Sequence, residues 1–321
     1  MEYRDLGKTG IRVSCIGLGC YPISGMAGGT NWSGINDNES IKTIKHAQTL
    51  GINLLDTAEG YGDGHSERII GKSIRENRME YVIATKLAAK PKVPGKNLES
   101  YIKKSCEGSL ARLKTDYIDI YQLHSEPNYG DMPIIVDTLQ VLVDEGKIRV
   151  FGISTYETEV IEALIKLGNL SIAQIGYSLL NPVGLKGLNF ALENKLGTLI
   201  RVPLAQGALT GKYFKSLKEL SNVDRRYQRF NTPRISASLK KLEELTFLSE
   251  TPGRTLVQAA LRFVLDTPGV TSVIAGAKDR TQLEENAGAA YVRSLTETEK
   301  QKALKISKEA NWPLPPYTKW T

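Results

Sequence analysis

Four polar residues end or follow apolar, strand-like runs and together could support acid–base chemistry. Asp56 lies in the run NLLDTA that begins at Asn53, and Tyr61 follows in the next loop. Lys86 ends YVIATK, and His124 ends IDIYQLH. An acid, a phenol, an amine and an imidazole therefore stand at the same end of three consecutive predicted strands. This coincidence predicts one shared site.

The chemistry of these four groups fits the reduction of a carbonyl, which needs a hydride at carbon and a proton at oxygen. The Tyr61 hydroxyl would supply the proton, although the usual pKa of a phenol is about 10. A buried Lys86 ammonium would lower that pKa, and Asp56 would keep Lys86 charged. His124 would donate a hydrogen bond to the carbonyl oxygen. Taken singly, each residue also has a structural alternative, as an ion pair or a hydrogen-bonded loop group.

The elements that must position these residues alternate regularly along the chain. Several short runs are apolar almost throughout, as in strands buried on both faces, and each run is followed by a helical pattern. Eight such units predict an α/β fold, a closed (β/α)₈ (TIM) barrel whose active site lies at the carboxyl ends of the strands. The runs begin at Ser14, Asn53, Tyr81, Ile118, Ile148, Ser171, Gly197 and Thr271.

Segments outside this alternation have predicted roles of their own. EYRDLGKTGIRV at the start is typical of a hairpin that could plug the barrel bottom, and residues 213–233 are interpreted as a long loop near the active face. The Pro-rich ending WPLPPYTKWT is predicted to be irregular. Substrate specificity should come from four loops, at 24–35, 90–97, 125–132 and 224–233. Gly28-Gly29 would give the first of these loops the mobility of a lid. Their aromatic residues, as substrate walls or as surface packing, are Trp32, Tyr129, Tyr227 and Phe230.

Bulk composition limits the remaining possibilities. The chain has 321 residues, 41% hydrophobic and 24% charged, which fits a single domain spanning 1–321. Its net charge of +7 is scattered, without the basic, aromatic-interleaved stripe of nucleic-acid binding. Three cysteines without short spacing argue against a disulfide framework and a metal site. No apolar run approaches the length of a membrane span, and a polar start favours the cytoplasm. We expect a monomer or a weak homo-oligomer.

The motifs around these residues resemble those of the aldo-keto reductase superfamily over nearly the whole chain. The resemblance implies a tetrad of Asp56, Tyr61, Lys86 and His124, and direct hydride transfer from NAD(P)H to an aldehyde or ketone without metal or flavin. Its segments are LLDTAEGYGDGHSERIIG (54–71), ATK ending at Lys86, DYIDIYQLH ending at His124, GKIRVFGIS ending at Ser154, PLAQGALTGKY (203–213) and IAGAKDRTQLEEN (274–286).

The resemblance also implies a cofactor site. Ser154 and Gln174 match residues that hold the nicotinamide carboxamide, and Arg201 stands where the family often has an aromatic ring stacked on the nicotinamide. A helix N-terminus near Lys278 and Arg280 favours the 2′-phosphate of NADPH, with NAD as the alternative. The full predicted set is Gly19, Cys20, Tyr21, Asp56, Ser154, Gln174, Arg201, Pro203, Leu204, Gln206, Lys212, Gly276, Ala277, Lys278, Gln282, Glu285 and Asn286.

Two other functions stay open at this stage. One is a cofactor-binding regulatory subunit with little turnover, as in some relatives of this fold. The other is a barrel lyase or isomerase, in which Lys86 would act alone and Tyr61 and His124 would share no role. Cofactor binding would distinguish the reductase from the lyase or isomerase. Turnover would distinguish the reductase from the regulatory subunit.

Overall fold

Eight parallel strands close into a barrel, as the sequence predicts. The computed structural model describes residues 1–25, 32–87, 97–250 and 252–313. The barrel order is β10-β3-β4-β5-β6-β7-β8-β9, and β1 and β2 form a separate antiparallel hairpin. The strands are β1 (Tyr3–Asp5), β2 (Arg12–Ser14), β3 (Ile16–Gly19), β4 (Leu54–Asp56), β5 (Val82–Leu87), β6 (Ile118–Leu123), β7 (Ile148–Ser154), β8 (Ile172–Gly176), β9 (Gly197–Arg201) and β10 (Ser272–Gly276).

Helices surround the barrel and bury apolar side chains against the strands or against neighbouring helices. Their starts carry the expected signals: Asn36 accepts from two backbone N–H groups of α1, and Thr255 and Thr296 make capping boxes at α9 and α11. The helices are α1 (Asp37–Thr49), α2 (His65–Ser73), α3 (Leu98–Leu113), α4 (Met132–Asp144), α5 (Thr158–Leu167), α6 (Gly184–Glu193), α7 (Arg225–Phe230), α8 (Pro233–Leu242), α9 (Leu256–Leu265), α10 (Arg280–Gly288) and α11 (Glu297–Glu309).

The N-terminal hairpin closes the bottom of the barrel, which confirms the prediction from its sequence. Leu6, Ile11 and Val13 are buried in one cluster with the inward side chains of the barrel strands. Gly7 has φ +59°, and a Cβ there would lie 2.4 Å from the backbone nitrogen of Gly197. The turn therefore requires glycine both for its conformation and for its close approach to β9.

The segment 213–233 is not the plain loop that its composition predicts. Asp224 accepts from the backbone N–H of Arg226 and starts α7, and α8 begins at Pro233. Phe230, predicted as a substrate wall or as surface packing, is fully buried instead. Its ring lies 5.5 Å from that of Tyr213 and 5.8 Å from that of Trp312. Burial of Phe230 against residues distant in sequence stabilises the short helix α7. The polar composition of the segment does not predict this contact.

Two other aromatic residues predicted for the rim loops differ in burial. Tyr129 is 61% exposed, and Tyr227 packs against the core around the barrel. Gly28, Gly29, residues 90–96 of the second rim loop and the tail after Pro313 lie outside the described residues. None of the helices in the described ranges combines the length and apolar character that a membrane crossing requires.

Candidate active site

The four predicted residues meet at the carboxyl end of the barrel around a buried ammonium. Lys86 Nζ donates to Asp56 Oδ1 at 2.7 Å and to the carbonyl of Thr57 at 2.7 Å. It also donates to the Tyr61 hydroxyl at 3.4 Å. The rings of Tyr61 and His124 lie edge to face with centroids 5.5 Å apart. The arrangement joins a carboxylate, an ammonium and a phenol in one chain of contacts.

Strand register explains why residues distant in sequence converge. Asp56 ends β4 opposite Ala84, and Lys86 lies two residues further along β5, above that pair. The backbone N–H of His124 donates to the carbonyl of Leu87 at 2.9 Å, which extends the pairing of β5 and β6. Tyr61 is held by a turn after β4, where its N–H donates to Ala58 at 3.1 Å.

Burial controls the ionisation of this cluster. Burial by itself would lower the pKa of Lys86, but Asp56 and the Tyr61 oxygen more than offset it and keep the pKa above its usual value. Burial raises the pKa of Tyr61, and Lys86 acts in the opposite direction. The expected net lowering of the Tyr61 pKa was therefore wrong for this structure, because loss of water around the phenolate outweighs the nearby ammonium.

His124 is the neutral member of the group. Burial lowers the pKa of its imidazole to about 3, and the positive charges of Lys86 and Arg201 act in the same direction. A neutral imidazole has one N–H to donate and one nitrogen to accept. His124 can therefore donate to an uncharged carbonyl oxygen without adding a third cation to the site.

We expect His124 to show no titration between pH 5 and 8. The folded-state pKa lies below the unfolded value near 6.5, so the unfolded chain binds the extra proton, and the contribution of His124 to stability is lost as pH falls from about 6.5 to about 3. Histidine NMR shifts followed from pH 8 to 5 test this. The chain has three histidines, so comparison with His124→Gln identifies the signal. A midpoint near 6.5 for His124 would contradict the buried, neutral imidazole.

A buried amide network extends the site beyond the four residues. Gln174 Nε2 donates to Asp56 Oδ2 at 2.7 Å, and its Oε1 accepts from the Ser154 hydroxyl at 3.4 Å. Gln174 Nε2 also lies 3.4 Å from Gln122 Oε1. Sequence reasoning missed Gln122, although its position two residues before His124 on β6 places it on the same face of the strand. The network links the predicted carboxamide contacts directly to Asp56.

The predicted cofactor contacts at the end of β3, the first strand of the barrel, lie beside the same site. Gly19 and Gly276 are paired on adjacent strands, and a Cβ would lie 3.1 Å from the Ile274 carbonyl oxygen at Gly19 and 3.0 Å from Pro22 Cγ at Gly276. The Tyr21 ring lies edge-on to Tyr61, with centroids 5.0 Å apart. Cys20 is fully buried, and burial raises the pKa of its thiol. Cys20 is therefore an inert wall and not a nucleophile.

The predicted adenosine end forms a local cluster around the start of α10. Asn286 Nδ2 donates to the carbonyl of Gly276 at 3.2 Å, and Gln282 Oε1 accepts from the backbone N–H of Lys278 at 3.2 Å. Arg280 is committed to an ion pair with Glu39 at 2.9 Å. Of the two predicted cations, Lys278 is therefore the one without an ion-pair partner in the described part of the chain. Ala277 and Glu285 belong to the same loop and helix.

The segment after β9 holds an unusual backbone. Val202, Ala205 and Gln206 all have positive φ, at 57°, 50° and 60°. A β-branched residue such as Val202 rarely adopts this conformation, which persists where the surroundings impose it and marks functional segments. Arg229 Nη1 donates to Gln206 Oε1 at 2.6 Å and ties the segment to α7. Pro203, Leu204 and Lys212 lie in the same segment, and Lys212 is exposed.

These residues fit a nicotinamide cofactor by the chemistry that they present. Ser154 and Gln174 offer buried oxygen and amide groups beside Asp56, which suits a carboxamide. Gly19, Gly276, the Lys278 side chain (without an ion-pair partner among the described residues) and the positive-φ segment after β9 continue along the rim. The side-chain Nε2 of Gln122 is buried and has no hydrogen-bond partner among the described residues. The network therefore contains an unused N–H donor.

Comparisons with known proteins agree with the motifs and the barrel. The aldo/keto reductase family model matches residues 21–307. An aldo-keto reductase of Bacillus subtilis (strain 168) is 36% identical over 299 residues, covering 88% of this chain and 87% of that protein. The structure of glycerol dehydrogenase from Gluconobacter oxydans has a TM-score of 0.80 at 28% identity and covers 98% of both chains. An aldo/keto reductase from Klebsiella pneumoniae in complex with NADP and acetate has a TM-score of 0.71 at 25% identity and covers 94% of both. The chain therefore belongs to the aldo/keto reductase family.

Proposed function

We propose that this protein reduces aldehydes or ketones to alcohols with NADPH, using Tyr61 as the proton donor. The observation that carries the proposal is the buried chain from Asp56 through Lys86 to the Tyr61 hydroxyl. A phenol of raised pKa holds its proton until the carbonyl oxygen gains charge. Lys86 then stabilises the phenolate that is left behind.

The roles of the other residues follow from their places. Ser154 and Gln174 would hold the carboxamide, and bound NADPH would supply the hydride. His124, being neutral, would orient the carbonyl oxygen by a hydrogen bond. Asp56 keeps Lys86 protonated despite complete burial, at an N–O distance of 2.7 Å. The proton donor and the residues that would hold the cofactor thus lie at the open end of a barrel that the N-terminal hairpin closes at its other end.

The preference for NADPH over NADH rests on charge. Lys278 has no ion-pair partner in the described ranges and lies close to the start of α10, where backbone N–H groups favour anions. The Klebsiella pneumoniae relative was solved with NADP. Arg280 would contribute less than sequence reasoning expects, because Glu39 already neutralises it.

Oxidation of NADPH, followed by absorbance with 4-nitrobenzaldehyde or methylglyoxal as substrate, tests this proposal. We expect turnover with NADPH and a lower kcat/KM with NADH. Tight NADPH binding without turnover across a broad carbonyl panel would favour a regulatory role instead. Failure to bind either cofactor would contradict the proposal as a whole.

We also propose a cytoplasmic location and a monomer or weak homo-oligomer. Cys15, Cys20 and Cys106 are buried as free thiols, which suits a reducing compartment. Gel filtration coupled to light scattering measures the oligomeric state.

A further inference from the structure

Gln122 is a fully buried amide near the carboxyl end of the barrel, and the proposed reaction assigns it no role. Ile120, two residues earlier on β6, lies in the apolar cluster inside the barrel, so Gln122 faces the same interior. Asp56 on β4, Lys86 on β5 and Gln174 on β8 also follow inward apolar residues of that cluster by two positions. These four polar side chains therefore face one interior, just beyond the apolar cluster.

Asp56 determines which end of the Gln174 amide faces the charged groups. A carboxylate only accepts hydrogen bonds, so the amide atom that lies 2.7 Å from Asp56 Oδ2 is the Nε2 donor of Gln174. The Oε1 atom of Gln174 then faces the Ser154 hydroxyl, from which it accepts at 3.4 Å. Gln174 therefore presents its donor to Asp56 and its acceptor toward Ser154.

The orientation of the Gln122 amide follows from that of Gln174. An amide nitrogen carries two N–H bonds, and Gln174 Nε2 donates one to Asp56 and one to Gln122 Oε1 at 3.4 Å. Turning the Gln122 amide over would place two donors against each other. Gln122 therefore keeps its oxygen toward Gln174, and its Nε2 is buried without a partner among the described residues.

A buried donor without an acceptor indicates that the Gln122 amide serves more than packing. Such a donor loses the hydrogen bonds that water would give it, which lowers stability. Methionine has a similar length and would fill the same space with an apolar side chain. If packing were the role of this position, an apolar side chain would serve it better.

Two hydrogen bonds from one nitrogen fix the plane of the Gln174 amide. The bond to Asp56 alone would leave the amide able to turn about the axis of that bond. The bond to Gln122 Oε1 gives the nitrogen a second fixed direction. With the plane fixed, Gln174 Oε1 has one direction in which to accept, on the side of Ser154, where the buried groups suit a carboxamide.

We propose that Gln122 is a positioning residue, which holds the Gln174 amide in the orientation that accepts a hydrogen bond from the N–H₂ group of the nicotinamide carboxamide. This inference rests on the reductase function proposed above. Gln122 would act through Gln174. An amide that is already oriented loses less conformational freedom when the cofactor binds, and it keeps the nicotinamide ring in place for hydride transfer.

The binding of a cofactor analogue tests this role without turnover. In 3-acetylpyridine-NADP⁺ a methyl group replaces the N–H₂ group of the carboxamide, and isothermal titration calorimetry gives its Kd and that of NADP⁺. We expect the wild type to bind NADP⁺ about tenfold more tightly than the analogue. In Gln122→Met this ratio should fall to about threefold or less. Gln122→Glu keeps an oxygen acceptor toward Gln174 and should retain most of the ratio.

Controls separate positioning from a general loss of binding. The compound 2′,5′-ADP lacks the nicotinamide, so its Kd should stay within about twofold of the wild-type value in Gln122→Met. Gln140→Met is the matched variant, because it removes an amide on the outer helix α4 that bonds Asp144 and Asn169. We expect it to leave the NADP⁺-to-analogue ratio unchanged.

Stability and kinetics give two further measurements on Gln122→Met. The urea midpoint should be unchanged or higher, because the variant removes a buried donor without an acceptor. We expect kcat to fall by about tenfold and KM for the aldehyde to stay within about twofold, since the nicotinamide is less well oriented. Should Gln122→Met not fold, Gln122→Asn gives the same test, because its amide is one methylene shorter and draws away from Gln174.

Two calorimetric results would overturn the inference. One is a wild-type ratio near one, and the other is a ratio in Gln122→Met equal to that of the wild type. A lower urea midpoint with an unchanged ratio would assign Gln122 to the structure alone. Failure of the wild type to reduce any carbonyl would remove the reductase function, and the calorimetric ratio would still report on the orientation of Gln174.

Discussion

Replacement of Tyr61 by Phe should lower kcat for carbonyl reduction by about 10²- to 10⁴-fold and leave the Kd for NADPH nearly unchanged. The substitution removes one oxygen, the only group at that position that can donate a proton. Steady-state kinetics followed by NADPH absorbance measure kcat, and fluorescence titration measures binding. The ring itself stays, so its edge-to-face packing with Tyr21 and His124 is kept.

Tyr117→Phe is the matched control for this loss. Its hydroxyl contacts Met79 Sδ at 3.5 Å and its ring stacks under Arg78, away from the predicted tetrad. We expect kcat within about twofold of the wild type, as for most substitutions remote from functional groups. A Tyr61→Phe enzyme with wild-type kcat would show that another group, or water, donates the proton.

Asp56→Asn should destabilise the fold by about 3–5 kcal/mol and abolish most activity. The change leaves the Lys86 ammonium fully buried without its counter-charge, now 2.7 Å away. Lys86 would then lose its proton on folding, because burial disfavours the charged form. The free energy of unfolding, measured in urea, gives the effect.

The pH dependence of this loss identifies its cause. In the variant the folded-state pKa of Lys86 falls below the unfolded value of about 10.4, so the unfolded state binds more protons and stability rises with pH. The deficit relative to wild type should therefore shrink between pH 7 and 10. Asp56→Asn/Lys86→Met, which removes the ammonium as well, should recover part of the stability. A deficit that is constant with pH and unchanged in the double variant would exclude a buried, unpaired ammonium as the cause.

The sequence predicts those parts of the fold that depend on local patterns of apolar and polar residues. Apolar runs end at Asp56, Lys86 and His124 because polar groups there reach the open face of the barrel. Alternation of eight such runs with helices then requires their ends to meet. The apolar residues Leu6 and Ile11 that flank the Lys-Thr-Gly turn likewise predict a hairpin with one buried face.

What the sequence does not predict depends on long-range packing. The bond from Gln174 to Asp56 joins residues 118 positions apart, and only the closed barrel brings them together. Phe230 lies in a polar segment, yet Tyr213 and Trp312 bury it. The pKa of Tyr61 follows from the balance between burial and the charge of Lys86, and a motif carries no information about that balance.

The most direct test of the central claim is the transfer of deuterium from the cofactor to the product. Wild-type protein is incubated with NADPH that carries deuterium at both C4 positions of the nicotinamide and a non-enolisable aldehyde such as 4-nitrobenzaldehyde, and the alcohol is examined by mass spectrometry. The account predicts one deuterium on the carbinol carbon in ordinary water. An alcohol without deuterium, or no alcohol from any member of a broad carbonyl panel while NADPH binds, would contradict direct reduction of the carbonyl by this protein.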